Sequence, residues 1–239
     1  EHCSGYFAGD SSIIGFSHTH LSGTGCPEMG DIMFMPVTGS VTFNAGSREN
    51  TSTGYRSRFS HQNEEAHPGY YRVKLDDYDI QAELTATERT AFHRYTFPAS
   101  EHSGIVIDLG HGIGDQTTES SIRALNDTTF VGKRRSTGFV RDHTWYFYAV
   151  VSKPVELVTS FADRIISDKK DVAGKNTKLF LQFKTTKDEQ IKVKVALSTV
   201  SMDGAKKNME KEIPGWNFDE VRAEASAIWN DYLHKTDPP

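Results

Sequence analysis

Residues 15–31 hold the densest set of side chains in this chain that could do chemistry. Residues 17–20 read Ser-His-Thr-His and place four hydrogen-bonding side chains at consecutive positions, and three glycines follow before the segment ends. Glycine permits positive φ and lets the backbone approach another surface closely. The apolar run at residues 32–36 predicts a buried strand directly after the segment. A polar loop beside such a strand is a common way to present a binding surface from a rigid scaffold.

His18 and His20 are the strongest candidates within this loop. If the segment is extended, the two side chains point to the same side, because strand side chains repeat every two residues. They are then either structural, hydrogen-bonded histidines or side chains that face a substrate or an interface. Ligation of zinc or iron is a third interpretation, since His-x-His spacing also occurs in such sites. A carboxylate is expected soon after the second histidine of such a site, but Glu28 follows late. We therefore predict no metal site.

The carboxylates outside the loop show no pattern that points to catalysis. Glu83 and Glu88 lie in or beside predicted strands at exposed positions, and residues 57–69, which include two further glutamates, are predicted to form a loop. Charged side chains usually remain exposed to solvent. Residues 108–115 are rich in glycine, but their spacing matches no nucleotide-binding fingerprint and predicts a turn. We therefore predict that this chain contributes no catalytic carboxylate.

Composition restricts the class of protein. The length of 239 residues fits one large all-β domain. The net charge of −5 weighs against a nucleic-acid partner or an anionic membrane, and no apolar run approaches the ~20 residues that a membrane helix needs. We predict neither kind of partner. Cys3 and Cys26 either form one bridge or remain two thiols. Because the chain begins without methionine or a signal peptide, we expect that it is trimmed at its start.

Alternation of apolar and polar residues predicts the elements that must position the loop. Residues 71–75, 80–86 and 91–97 alternate with period two and are joined by tight connections, which predicts an antiparallel meander. Further strands are predicted at residues 104–109, 121–130, 144–151, 155–161, 178–183 and 191–197. Ten or so strands with no helical pattern between them predict an all-β fold, an antiparallel β-sandwich.

The pattern changes near the C-terminus. Residues 204–213 predict a short helix, and residues 218–232 predict an amphipathic helix whose apolar positions recur every three or four residues. Its apolar face carries Trp229 and Tyr232, which need a surface to pack against. We therefore divide the chain into a β-sandwich domain at residues 1–215 and a C-terminal linker helix at residues 216–239.

Several segments resemble the glycoside hydrolase family 92 α-mannosidases. Residues 15–26 (Gly-Phe-Ser-His-Thr-His-Leu-Ser-Gly-Thr-Gly-Cys) are similar to the signature loop of that family. Segments that resemble its N-terminal domain follow in the same order at residues 70–75, 80–89, 93–98 and 212–219. The resemblance therefore covers most of the chain.

The resemblance implies an inverting, calcium-dependent exo-α-mannosidase that removes terminal mannose from α-mannosides or N-glycans. In that family an N-terminal β-sandwich is followed by a C-terminal (α/α)6 catalytic domain, and the active site lies between them. The catalytic carboxylates and the calcium ligands are expected in the C-terminal domain. This chain is then a sandwich truncated at its N-terminus that is inactive alone. Its implied partners are a mannose-containing glycan and its own (α/α)6 domain, and its implied location is secreted or periplasmic.

The resemblance also implies a set of substrate-binding residues in the loop. These residues are His18, His20, Ser22, Thr24, Cys26 and Glu28. Residues 26–30 differ from the family's versions of the loop, so Glu28 and Met29 either set the linkage preference or lie in a plain surface turn. The alternative from another class is a stand-alone carbohydrate-binding or interaction module without catalysis. A module should have a self-sufficient surface, whereas half of an enzyme should expose the apolar face of residues 218–232.

Overall fold

The computed structural model describes residues 5–21, 25–48 and 50–235. Ser22 and Thr24 of the predicted site lie outside these ranges, and so does Cys3 of the predicted cysteine pair. The strands of the described residues are β1 (Ser12–Ile13), β2 (Met33–Thr38), β3 (Ser57–Arg58), β4 (Glu64–His67), β5 (Tyr70–Leu75), β6 (Ile80–Ala86), β7 (Thr90–Phe97), β8 (Ser100–Asp108), β9 (Gln116–Ala124), β10 (Thr129–Thr137), β11 (His143–Val151), β12 (Leu157–Ala162), β13 (Ile165–Ser167), β14 (Asp171–Gly174), β15 (Thr177–Thr185) and β16 (Glu189–Ser198). Two α-helices follow, α1 (Met202–Glu212) and α2 (Phe218–His234).

Two antiparallel sheets form the body of the molecule. Within the described ranges, the larger sheet has nine strands in the order β14-β9-β10-β11-β16-β7-β6-β5-β4, and the smaller has five in the order β13-β12-β15-β8-β2. A two-stranded ribbon of β1 and β3 lies outside both sheets. Side chains from both sheets, such as Phe34, Val106 and Phe147, are fully buried in one hydrophobic cluster. The predicted antiparallel β-sandwich is confirmed.

The predicted meander corresponds to β5, β6 and β7. Its register pairs Tyr71 with Leu84 and Ala82 with Tyr95, so the apolar members of each alternating pattern point into the sandwich. The prediction of a loop at residues 57–69 was wrong, because β3 and β4 lie there. Strands of two and four residues are too short for alternation to reveal them.

The two C-terminal helices begin at side-chain caps. Ser201 accepts a hydrogen bond from the backbone N–H of Gly204 at 3.0 Å, and Asn217 accepts one from that of Glu220 at 3.4 Å. Such caps satisfy backbone donors that have no partner within the helix. Both predicted helices are confirmed, within two residues at each end.

Lysines of β16 hold the segment between the helices against the sheet. Lys194 Nζ donates to the carbonyls of Ile213 and Gly215 at 3.0 and 3.3 Å, and Lys192 Nζ donates to that of Trp216 at 2.8 Å. Burial lowers the pKa of Lys194. The start of α2 is therefore placed by direct contacts with the sheet.

The first half of α2 is part of the packed domain and the second half is not. Phe218 and Val221 are buried against Tyr70 and Phe92 on the outer face of the larger sheet. The following apolar side chains are exposed, namely Ile228, Trp229, Tyr232 and Leu233. Among the described residues, no helix has the length and apolar character needed to cross a membrane.

The position of α2 also corrects the prediction that Glu83 is exposed. Glu83 is only 8% exposed, because α2 covers the outer face of the sheet at β6. Arg94 on the neighbouring strand bonds both Glu83 carboxylate oxygens at 2.7 Å, and Tyr70 donates to the same carboxylate at 2.8 Å. Burial raises the pKa of Glu83, but the bonds from Arg94 and Tyr70 outweigh it and hold the pKa below its usual value.

Candidate functional site

The described parts of the loop at residues 15–31 form two paired arms. Antiparallel bridges join Phe16 to Phe34 and His20 to Met29. The Gly30 backbone N–H donates to the Thr19 carbonyl at 3.0 Å. The arms are therefore held to each other and to β2 by backbone hydrogen bonds.

The returning arm contains unusual backbone geometry. Met29 and Ile32 have positive φ values of 68° and 55°. A β-branched residue in this region is a conformational outlier. Such conformations persist only where the surroundings determine them, and they are frequent at functional sites.

A buried polar network holds the returning arm in this backbone conformation. Thr19 Oγ1 donates to Asp31 Oδ2 at 2.6 Å, and the Asp31 backbone N–H donates to the same hydroxyl at 2.9 Å. Arg134 of β10 donates to Asp31 Oδ1. It also binds both oxygens of Asp115, at 2.7 and 3.1 Å. The network joins the base of the loop to β10 and to the connection between β8 and β9.

The side chains of Arg134, Asp31 and Asp115 have no exposed surface. Burial raises the pKa of Asp115, but the hydrogen bonds from Arg134 outweigh this effect and keep it below its usual value. The predicted turn at residues 108–115 therefore ends in a carboxylate that is ionised and fixed. Sequence reasoning did not identify Arg134, although a signal was present. The alternating positions Phe130, Arg134 and Ser136 of β10 all point inward.

His18 and His20 have different environments. His18 shares a short hydrogen bond between its Nδ1 and the Ile32 carbonyl, and its ring stacks on His93 with centroids 5.0 Å apart. Burial lowers the pKa of His18 to about 4, despite the opposing bond to Ile32. His18 is therefore neutral near pH 7 and fits the structural interpretation. His20 is exposed.

Two cavities meet at His20. One, of about 700 Å³, is bordered by both histidines and by Met29, Arg89 and Trp145. The other, of about 480 Å³, is bordered by Tyr6, Phe7, Arg48, Tyr71 and His111. Concave surfaces with aromatic walls and a few polar groups are typical of small-molecule sites. His20 is the predicted site residue that both cavities share.

The side chain of Glu28 is fully buried, so it does not lie in a plain surface turn. Its part in linkage preference stays a prediction. Its Oε2 accepts from the backbone N–H of Phe139 at 2.7 Å. A Cβ atom on Gly138 would lie 2.5 Å from that oxygen, so glycine permits the close approach. Cys26 is partly buried, and Met29 borders the larger cavity.

Among the described residues, one group has the spacing of possible metal ligands, and it contains neither His18 nor His20. It consists of Glu28, Asp115 and His143. Calcium takes six to eight oxygen ligands, whereas this group offers two carboxylates and an imidazole. The group therefore does not fit calcium.

Fold and site together define a two-sheet β-sandwich domain with a helical extension and an anchored polar loop. Residues 1–198 match the model of the glycosyl hydrolase family 92 N-terminal domain, and the chain belongs to this family.

Three relatives place this domain within longer chains. A protein of Arthroderma benhamiae named as an uncharacterized secreted glycosidase is 30% identical, and the match covers 98% of this chain and 33% of that protein. The family GH92 α-mannosidase BT3965 of Bacteroides thetaiotaomicron, solved with mannoimidazole, is 38% identical with a TM-score of 0.93, covering 98% of this chain and 32% of that one. The inverting mannosidase BT2199 of the same species is 26% identical with a TM-score of 0.86, covering 100% and 31%. The chain thus spans about a third of the length of these relatives.

Proposed function

We propose that this chain is the N-terminal domain of an inverting exo-α-mannosidase that removes terminal mannose from α-mannosides or N-glycans. A C-terminal (α/α)6 domain would supply the catalytic carboxylates and the calcium ligands. Family membership supports this proposal, together with the two structural relatives that are described as mannosidases. The name of the fungal relative supports a secreted or periplasmic location.

The observation that carries the proposal is the preorganised loop beside an exposed apolar helix face. Ala225, the last buried residue of α2, contacts Gly69, and the Gly69 carbonyl accepts from Thr85 at 2.7 Å. The next residue, Ala86, borders the larger cavity together with His20. The exposed turns of α2 therefore leave the sheet near the cavity. A further domain packed on them would lie over the loop.

The loop is suited to bind a polar ligand at low entropic cost. Its base is fixed by Arg134, Asp31 and Thr19, so the two described arms lose little conformational freedom on binding. The exposed imidazole of His20 can donate or accept hydrogen bonds to sugar hydroxyls. We propose His20, Ser22, Thr24 and Cys26 as the residues that reach the glycan. His18 and Glu28 would act from beneath by holding the two arms.

The apolar helix face is suited to hold the second domain in one orientation. Arg94 fixes the start of α2, because it bonds Asp219 at 3.0 Å and lies 4.3 Å from the ring centroid of Phe218. Trp229 and Tyr232 beyond it form an edge-to-face pair at 6.3 Å. Exposed aromatic clusters of this kind mark interaction surfaces. We propose residues 216–235 as a rigid connection rather than a flexible tether.

In this proposal the catalytic residues lie in the C-terminal domain. An inverting glycosidase needs a general acid and a general base about 6.5–9.5 Å apart, with one free to protonate the leaving group and one holding water. Asp31 and Asp115, the carboxylates at the base of the loop, are instead bound by Arg134. They support the loop.

The proposal is tested by comparing this chain with a longer form that also contains the proposed C-terminal (α/α)6 domain, which we call the two-domain form. The two-domain form should hydrolyse an α-mannoside, release β-mannose first as judged by proton NMR, and lose activity with a chelator. The 239-residue chain should be inactive. Initial release of α-mannose would disprove inversion. Mannoside binding by calorimetry, with no hydrolysis by either form, would instead support the stand-alone carbohydrate-binding module.

A further inference from the structure

A group of buried charges at the base of the loop is not balanced by the charges around it. The carboxylates of Glu28, Asp31 and Asp115 have no exposed surface, and the guanidinium of Arg134 lies among them, equally buried. Three carboxylates share one guanidinium, so two of the carboxylates lack a cation of their own among the described residues. Uncompensated buried charge costs several kcal/mol per ion. A further positive group is therefore expected at this place, which we call the Glu28 cluster.

Two buried atoms of this cluster have no hydrogen-bond partner. They are Glu28 Oε1 and His143 Nδ1, and they lie 3.9 Å apart. The other polar atoms of both side chains are engaged, since Glu28 Oε2 accepts from the Phe139 N–H at 2.7 Å and His143 Nε2 bonds Ser136 Oγ at 2.8 Å. Buried polar atoms of native proteins are nearly always satisfied. The open positions of the two side chains therefore point to the place where a ligand belongs.

The separation suits a shared metal ion better than a direct hydrogen bond. A distance of 3.9 Å between the two atoms exceeds the usual hydrogen-bond range. Two ligands of a tetrahedral zinc ion, each about 2.0–2.2 Å from it, lie about 3.4 Å apart, so the two atoms need to approach by only about 0.5 Å to share one ion. An oxygen of Asp115 completes a set in which all donor atoms lie within 4.8 Å of one another. Small side-chain rotations would bring three donors to one ion.

We propose that Glu28, Asp115 and His143 bind one divalent cation of the zinc or manganese class. A charge of +2 matches the two carboxylates that lack a cation of their own. Imidazole is a ligand for zinc and related transition metals, whereas calcium and magnesium prefer oxygen. The three ligands come from the returning arm of the loop, the β8–β9 connection and the start of β11. The ion therefore fastens the base of the loop to two neighbouring elements. This role is structural and does not depend on hydrolysis.

Metal analysis and calorimetry of the 239-residue chain test the proposal. The chain is purified without chelator and its zinc and manganese are measured by mass spectrometry. It is then stripped with EDTA, and Zn²⁺, Mn²⁺, Ca²⁺ and Mg²⁺ are titrated separately. We expect one equivalent of Zn²⁺ or Mn²⁺ to bind and raise the melting temperature, and Ca²⁺ and Mg²⁺ to bind far more weakly.

Two ligand variants and one matched control localise the ion. His143→Gln and Glu28→Gln should weaken binding by more than the roughly 10- to 100-fold loss typical of changes around metal ligands. The control is His67→Gln, which removes an exposed histidine that lies 2.9 Å from Glu65. It should leave binding unchanged.

Cobalt provides a readout if a variant does not fold. Co²⁺ bound by the stripped wild-type chain should give visible d–d absorption that Zn²⁺ displaces. No bound metal, no melting shift with any of the four ions and no cobalt spectrum would overturn the proposal. Binding of equal strength in His143→Gln would overturn it as well.

Discussion

The base of the loop and the end of α2 differ in how their side chains are buried. At the loop, polar groups from distant elements converge on Arg134, which has no exposed surface. At α2, the first turns are packed on the sheet, but Trp229 and Tyr232 remain 47% and 63% exposed. The ion pairs of Arg134 with Asp31 and Asp115 are completed within this chain. The end of α2 still has apolar area to bury, so the comparison separates a preorganised site from a surface that needs a partner.

Removal of Arg134 should cause the largest loss in the free energy of unfolding, because it breaks the buried ion pairs at the base of the loop. Arg134→Met leaves Asp31 and Asp115 buried without their partner. Breaking a buried ion pair on one side costs about 3–5 kcal/mol. Urea denaturation measures the loss in the free energy of unfolding.

The neighbouring residue provides the control for Arg134. Arg135 is 48% exposed and pairs with Asp142 at 2.6 Å. Exposed ion pairs contribute little to stability, so Arg135→Met should leave the free energy of unfolding nearly unchanged. Equal effects of the two variants would show that the buried network does not hold the loop.

The next largest loss in the free energy of unfolding is expected from the first half of α2, and little loss is expected from the second half. Phe218→Ala removes a fully buried ring from the cluster with Tyr70 and Phe92. Truncation of a buried phenylalanine costs about 3–5 kcal/mol, and a site at the edge of the core belongs at the lower end. Trp229→Ala on the same helix should change the free energy of unfolding by less than about 0.5 kcal/mol. A large loss for Trp229→Ala would mean that the exposed half packs on this domain after all.

The pH dependence of stability tests the histidine beneath the loop. The pKa of His18 is about 4 in the folded state and 6.5 in the reference state. Between these values the unfolded chain binds more protons, so stability falls as the pH falls. The loss from pH 7 to pH 5 should be about 2 kcal/mol from His18 alone. Burial lowers the pKa of His93 as well, which adds in the same direction.

The variant His18→Gln tests whether this pH dependence of stability comes from His18. Stability is measured by urea denaturation at pH 5, 6 and 7 for the wild type, for His18→Gln and for the exposed control His67→Gln. The slope should be reduced in His18→Gln and retained in the control. A wild-type slope in His18→Gln would contradict a neutral, buried His18.

The smallest effect on stability should come from the exposed apolar face itself. The double substitution Trp229→Ser and Tyr232→Ser should leave the melting temperature of the 239-residue chain almost unchanged, because surface changes are usually nearly neutral. It should reduce self-association in size-exclusion chromatography, since an apolar patch is removed. In a two-domain form the same substitutions should destabilise the whole protein. No destabilisation there would argue against α2 as the docking surface.

The elements with strong periodicity could be predicted from the sequence. The meander of β5, β6 and β7 follows from alternation, and α2 follows from apolar positions three and four residues apart. These patterns report which side of an element is apolar, and burial of that side drives folding. The loop at residues 15–31 was also predictable as a polar segment beside a buried strand. What each of its side chains contacts was not.

The sequence did not reveal the burial of two glutamates, and the physical cause is the same for both. Glu83 looked exposed because its strand alternates, yet α2 covers that face. For Glu28 the sequence left a substrate-binding residue and a surface turn open, yet Phe139 and Gly138 lie against its buried carboxylate. In both cases the covering element is more than 100 positions away in the chain, so local pattern could not reveal it.

The sequence by itself determined the fold class, the two helices and the polar character of the loop, because these depend on local periodicity and residue type. Only the tertiary structure decided which charges are buried together. Arg134 lies 103 positions from Asp31, and their pairing exists only after β10 and the loop pack against each other. Likewise, the sequence predicted one apolar helix face, but only packing showed that Phe218 is covered and Trp229 is not. Burial of a charge or a ring is a property of the assembled sheets and helices, and those long-range contacts determine the site.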